Sequence, residues 1–333
     1  RCFEVTFTSG SPGITQFLSP PPEGTTLERG EAESRPGVPR SPSTVLDHHH
    51  NVIMSSPTVS VVLPTYNRAD VLPEAIDSVL AQDFDDWELL VVDDGSEDDT
   101  AGVVGPYLED GRIAYLKKEH VGSADSRNLG VRRSRGRYVT FLDSDDVAAP
   151  NWLSELLAVL RSGSSVVCCS VRHVTRRRDQ ILHPEDMGPA FQGLVMKFTN
   201  GGSYMLAREL FDAVGGFDVR SPAEHTELGI RLAEYCAQRG IEVRNVYRPL
   251  ITVRQTRDDH MRNDDESVFQ GARHFIEKHR DKLSLDRRLH HDYVSVLLYR
   301  GRGMPLRDVA PYYLTILRLR PFYWRSYASV ARN

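Results

Sequence analysis

Trp87-Glu88-Leu89-Leu90-Val91-Val92-Asp93-Asp94-Gly95-Ser96 is the stretch that decides the fold. Its apolar, β-branched run reads as a strand, and the run stops abruptly at an acidic turn. A helix start follows, with Ser96 or Asp98 placed to cap it and Asp99 to complement its dipole. Upstream, Val59-Ser60-Val61-Val62-Leu63 is a second such run, ended by Pro64. Between the two, Ala69 to Gln82 carries Val71, Leu72, Ala75, Ile76, Val79 and Leu80 at helical spacing. Downstream come a short strand at Arg112–Leu116, a helix at Ser123–Ser134 and a fourth strand at Tyr138–Leu142. Strand and helix alternate throughout, which predicts an α/β layer with a mostly parallel central sheet flanked by helices.

The second half is less regular. A helix is predicted at Asn151–Leu160, a strand at Ser165–Val171 and a helix at Tyr204–Val214 closed by Gly215-Gly216. Another helix, Thr226–Arg239, is closed by Gly240, and Ile241–Val253 reads as extended. From about residue 265 the chain is helical and rich in Arg, Tyr and Leu.

Ligands of an open parallel sheet gather outside the carboxyl ends of its strands. Three such ends are polar here: Pro64-Thr65-Tyr66-Asn67-Arg68, Asp93-Asp94-Gly95-Ser96 and Asp143-Ser144-Asp145-Asp146. If extended backbone persists, Asp143 and Asp145 share one side. Two carboxylates on one side suit a hard cation, Mg²⁺ or Mn²⁺, with phosphate oxygens completing its shell. Helix capping would account for one aspartate; three in four residues repel each other, and that cost points to a cation. A phospho-acceptor receiver domain also clusters acids, but it needs a Lys at a later strand end that is not seen here.

Bulk properties narrow the class. The chain has 333 residues and a net charge of −5, which argues against a protein that coats nucleic acid. Cys2, Cys168, Cys169 and Cys236 lack zinc-site spacing and suit buried thiols in a reducing cytoplasm. No apolar run approaches the roughly 20 residues of a membrane span, and no secretory leader is visible. Residues 1–55 hold Pro20-Pro21-Pro22, a charged stretch and His48-His49-His50 without sustained period; a disordered leader is the expectation, with residues 1–53 upstream or dispensable.

From Pro57 to about Leu157 these residues resemble the family 2 glycosyltransferases, which have a GT-A fold. Val59–Arg68, Ser78–Gln82, Trp87–Ser96, Arg127-Asn128-Leu129-Gly130, Gly136-Arg137-Tyr138 and Phe141–Asp146 carry the resemblance, in order and at matching spacing. Gly215-Gly216-Phe217-Asp218 extends it more weakly. The resemblance implies a GT-A domain at 56–255, with a nucleotide-binding half (56–150) and an acceptor half (151–255). A mobile loop and a C-terminal helical region would occupy 256–333.

It also implies an inverting transfer from a nucleoside-diphosphate sugar, a UDP-sugar above others, to a carbohydrate, lipid-linked or small-molecule hydroxyl. Pro64, Thr65, Tyr66 and Arg68 would line the nucleotide site, and Asp94, beside Asp93, would meet the base edge. Arg127 and Asn128 would lie near the ribose and phosphates, and Asp143 and Ser144 near the ribose or sugar. Asp145, with Asp143, would bind the metal, and His260 on a later loop would join it. Arg254 and Arg257 would pair with phosphates.

The acceptor base is commonly the Asp of a Glu-Asp pair, but here the stretch reads Glu224-His225-Thr226-Glu227. The base is therefore expected at Glu224 or His225, with Glu227 a further candidate. Two other readings stay open: a binding relative that lost the base, and a sugar nucleotidyltransferase, whose glycine-rich triphosphate loop is missing after the first strand. The expected location is cytoplasmic. The aromatic, arginine-rich stretch Pro311–Arg325 suits helix packing or peripheral contact with the inner face of a membrane.

Overall fold

The computed structural model describes residues 56–319, apart from 177, 187–193, 197, 199, 256–264, 286–289, 292, 293, 296 and 299–304. The expected leader, His260, Arg257 and the end of the C-terminal stretch lie outside the described residues.

The first half alternates as predicted: β1 (Val59–Thr65), α1 (Leu72–Leu80), β2 (Trp87–Asp93), α2 (Thr100–Val104), β3 (Ile113–Lys117), α3 (Ser123–Arg133) and β4 (Tyr138–Phe141). Then follow β5 (Val147–Ala148), α4 (Trp152–Arg161), β6 (Val166–Thr175), β7 (Asp179–Leu182), β8 (Glu185–Asp186) and β9 (Val195–Met196). β10 (Tyr204–Ala207), α5 (Arg208–Ala213), α6 (Glu224–Arg239) and β11 (Val243–Gln255) complete the sheet region. Beyond it lie α7 (Asp265–Lys278), α8 (Arg280–Leu285) and a helix at Leu306–Leu319. Among the described residues no helix is long and apolar enough to cross a membrane.

The large sheet runs β3-β2-β1-β4-β10-β6-β11-β5, with β7 added on β6. β1 pairs parallel with β2 and β4, and β2 with β3. β10 is antiparallel to both β4 and β6, while β6 and β11 run parallel, so most paired residues lie in parallel ladders. β1 and β2 are buried along their whole length, which explains their apolar runs; the two polar interruptions, Ser60 and Glu88, bond each other at 2.8 Å. Burial of each large side chain in this core, among them Trp87, Trp152, Phe141 and Leu89, is worth roughly 1.5–3 kcal/mol.

One element departs from expectation. Tyr204–Ala207 is a strand, and only Arg208–Ala213 is helical. Tyr204, Met205, Leu206 and Ala207 are all buried in the gap between β4 and β6, and that packing overrides the helical preference of Met, Leu and Ala. β6 also runs past Val171 to Thr175, because β7 folds back onto its second half.

Candidate active site

The ends of β1 and β2 are stitched together by side chains. Asn67 N–H donates to Ser96 Oγ at 2.9 Å, and Asn67 Oδ1 accepts from Glu97 N–H at 2.8 Å. Asp98 takes the Ala69 and Thr100 N–H groups at 3.0 and 3.1 Å, so it, rather than Ser96, serves the start of α2.

Asp93 and Asp94 divide their roles. Asp93 is wholly buried and accepts from Ser96 N–H at 2.7 Å and from the Tyr115 hydroxyl. Burial, then the hydrogen bond to Asp93, push the Tyr115 hydroxyl up. Asp94 is cradled by the loop between β3 and α3. Val121 N–H donates to its Oδ1 at 3.0 Å, Gly122 N–H to Oδ2 at 2.8 Å, and Lys118 Nζ to Oδ1. His120 Nδ1 lies 2.8 Å from Oδ2. The His120 ring stacks on Tyr66, with centroids 4.1 Å apart and planes 25° from parallel. Lys118 and His120 were not singled out in the sequence. Their signal is the basic run Lys117-Lys118 closing the third strand, opposite the acidic close of the second. Pro64 and Thr65 are buried at the end of β1, and Tyr66 and Arg68 are half-buried just beyond it.

The extended backbone assumed for the acidic stretch does not persist: β4 ends at Phe141, and Asp143–Asp146 form a turn closed by Asp146 N–H on the Asp143 carbonyl at 3.0 Å, with Asp143 and Asp145 half-buried and Ser144 and Asp146 buried. Asp146 Oδ2 accepts from Asn200 Nδ2 at 3.0 Å, and burial, then the charges of Asp143 and Asp145, push its carboxyl well up. Among the described residues no three His, Cys, Asp or Glu side chains assemble as a metal site. Asp143 and Asp145 nonetheless supply the hard oxygen donors that Mg²⁺ or Mn²⁺ takes when phosphates complete its shell.

Arg127, buried on α3, joins this stretch to α6. Its Nη2 donates to Asp143 Oδ1 and its Nη1 to Glu224 Oε1. Burial opposes the Arg127 charge, but the two carboxylates outweigh it and hold the guanidinium protonated. Burial alone would raise Asp143; Arg127 overrides that and holds its carboxyl below the usual range. Glu224 is 1% exposed and also accepts from Ser123 Oγ at 2.9 Å. Burial, against the pull of Arg127, pushes Glu224 up to about 7.

The other two base candidates face elsewhere. His225 lies among Phe217 and Tyr204, with Nδ1 2.9 Å from the Tyr204 hydroxyl and a buried Nε2 without a partner. Burial, then the Arg127 charge, push His225 down to about 3. Glu227 is caged by Arg231, Lys278 and His279, which hold it at about 2 although burial opposes them. Asn128, expected on the nucleotide side, instead clamps the Phe217 backbone: Nδ2 donates to the carbonyl and Oδ1 accepts from the N–H, both at 2.9 Å.

Arg127 thus brings Asp143 and Glu224 together, while Asp94 and Asp145 follow the ends of β2 and β4. Residues 60–221 match the glycosyl transferase family 2 profile. An uncharacterised glycosyltransferase of Rickettsia prowazekii is 31% identical over 174 residues, covering 49% of this chain and 54% of the relative. The chain thus spans about half of that relative's length. Among solved structures, S. aureus TarS with UDP-GlcNAc superposes at a TM-score of 0.55 and 19% identity, over 82% of this chain and 80% of that one. The Pyrobaculum calidifontis mannosyltransferase PcManGT, with GDP-Man and Mn2+, gives 0.53 and 20% over 83% and 84%. These likenesses identify the fold as GT-A, and the segment 60–221 carries the family 2 glycosyltransferase pattern.

Proposed function

We propose that this chain transfers a sugar from a nucleoside-diphosphate sugar, a UDP-sugar above others, to an acceptor hydroxyl with inversion. The observation that carries the reading is the Arg127 bridge, which ties the acidic end of β4 to the first residue of α6. The nucleotide base is taken at the Asp94 loop beside Tyr66, and Asp143 faces the ribose and sugar. When bound between Asp143 and Asp145, a divalent cation would supply positive charge to the diphosphate. The fold neighbours support the donor class, since one carries UDP-GlcNAc and another GDP-Man with Mn2+.

Glu224 is the base. A carboxyl pushed up to about 7 holds a proton well enough to accept one from the acceptor hydroxyl near neutral pH. As that proton moves to Glu224, the hydroxyl oxygen bonds to the anomeric carbon and the bond to the diphosphate breaks. His225, pushed down to about 3, is a weak base. Glu227 is spent on its contacts with Arg231, Lys278 and His279.

A second reading, a binding relative without turnover, is favoured by one fact: Glu224 is 1% exposed and already paired with Arg127. One experiment separates the two. The full chain is incubated with UDP- and GDP-sugars plus Mn²⁺, Mg²⁺ or EDTA, and free nucleoside diphosphate is measured. Release from one donor, stopped by EDTA and cut about hundredfold or more in Glu224→Gln, supports transfer. Metal-dependent nucleotide binding without release supports the second reading. No binding and no release defeats both.

A further inference from the structure

The segment that presents Glu224 is gripped from two sides. On one side Asn128 holds the Phe217 backbone, and the Phe217 ring packs on Phe141 with centroids 5.1 Å apart. On the other side lies α7, which begins beyond the family-matched segment 60–221.

The contacts of α7 converge on two carboxylates that flank Glu224. Lys278 Nζ lies 2.6 Å from Asp218 Oδ2 and 2.8 Å from Glu227 Oε1. His274 Nε2 lies 2.8 Å from Asp218 Oδ2, and His279 Nε2 lies 3.0 Å from Glu227 Oε1. Glu227 stands one helical turn after Glu224 on α6 and is completely buried. A Cβ on Gly271 of α7 would come 2.7 Å from Pro222 Cδ and 2.9 Å from the Arg220 carbonyl, so only glycine allows this approach.

We infer that Lys278 is a positioning residue for the base. A single ammonium bridges the loop before α6 and the helix itself, and so fixes the first turn of α6 and the place of the Glu224 carboxylate against Arg127. Without Lys278, Glu227 keeps Arg231 and His279 and Asp218 keeps His274 and Arg220, but the ammonium that touches both carboxylates is gone and the turn between them is freer to shift. A misplacement of about 1 Å at a reacting group far from the altered residue can cost on the order of a hundredfold in rate. The catalytic part of the inference rests on Glu224 being the base; the structural part does not.

The test uses the full chain carrying Lys278→Met, with Lys278→Arg as rescue and Glu277→Gln as control. Glu277 pairs with Arg273 on the solvent side of the same helix. Assays run well below the melting temperature of every variant. The expected result is a kcat lowered about tenfold in Lys278→Met at a donor KM within about twofold, largely restored by Lys278→Arg and untouched in Glu277→Gln. Hydrogen exchange by mass spectrometry needs no donor. Peptides over 221–230 should exchange about tenfold faster in Lys278→Met, with β1, β2 and β4 unchanged. Wild-type kcat and wild-type exchange in Lys278→Met would overturn the inference, and so would faster exchange across the whole sheet. If the wild type releases no nucleotide from any donor while 221–230 still loosens, the glycosyl-transfer reading fails and the coupling of Lys278 to the α6 turn stands.

Discussion

Arg127 and Glu224 stand 97 residues apart in the chain and form a buried ion pair. The same guanidinium holds Asp143, so one cation balances two carboxylates in a place with little water. Each partner is costly to bury alone, and the trio persists because each charge is met by another. Arg127→Met should therefore leave the buried Glu224 and the half-buried Asp143 facing each other without a cation. The expected loss is about 3–5 kcal/mol in urea unfolding. Arg127→Lys keeps a charge but not the planar fork that reaches two partners, so it should recover more stability than turnover. Arg127→Met unfolding at the wild-type midpoint would show the pair to be energetically idle.

Glu224 gives two opposite pH trends. Burial sets its carboxyl at about 7 in the fold, against 4.5 when unfolded. Below 4.5 the carboxyl is neutral in both states, and its stabilising contribution is complete. That contribution is lost as pH rises through about 7, because ionising the group inside the fold costs more than in water. As a base, however, Glu224 works only when ionised. Turnover should rise through pH 7 over the interval in which stability relative to Glu224→Gln falls. Melting temperature and kcat measured from pH 5 to 8 check this; parallel trends would remove Glu224 as the titrating group.

The strands β1, β2 and β4 were legible because burial on both faces writes mainly apolar, β-branched runs, and each run is followed by polar residues. β10 was not. Tyr204-Met205-Leu206-Ala207 has no β signature of its own and becomes a strand because β4 and β6 leave a gap that it fills. Site residues divide in the same way. Asp94, Asp143 and Asp145 were picked out because they follow strand ends, although the last two sit in a turn and not on extended backbone. Asn128 was read toward the nucleotide, yet its amide matches the peptide of Phe217, 89 residues later. Glu224 and His225 look equivalent on paper, but neighbours on a helix point about 100° apart. One meets Arg127 and the other meets Tyr204.

Gly216 is a sharper test of the loop before α6. Its φ is 67°, and a Cβ there would come 2.7 Å from Asn128 Oδ1. Gly216→Ala meets both penalties, a left-handed backbone and a clash with the side chain that clamps Phe217. The expected cost is about 1–3 kcal/mol. Pairing it with Asn128→Ala should cost less than the sum of the two single changes, because the clash disappears with the amide. Strict additivity in a double-mutant cycle of unfolding energies would refute the contact.

The cage around Glu227 should make the fold sensitive to acid. Arg231, Lys278 and His279 hold its carboxyl at about 2 against 4.5 unfolded, and Lys278 and His274 hold Asp218 below the carboxylate range. Arg220 also faces Asp218, at 3.6 Å. Both carboxylates are depressed, so their stabilisation is present above the unfolded values and is lost as pH falls through the folded ones. Glu227→Gln keeps the shape and removes the charge, leaving the Arg231 and Lys278 charges and the side chain of His279 without their shared partner. It should lose about 3 kcal/mol near pH 6. It should also flatten the fall in stability between about pH 5 and pH 3, since one proton uptake is gone. Wild-type acid sensitivity in Glu227→Gln would mean that other carboxylates set the limit.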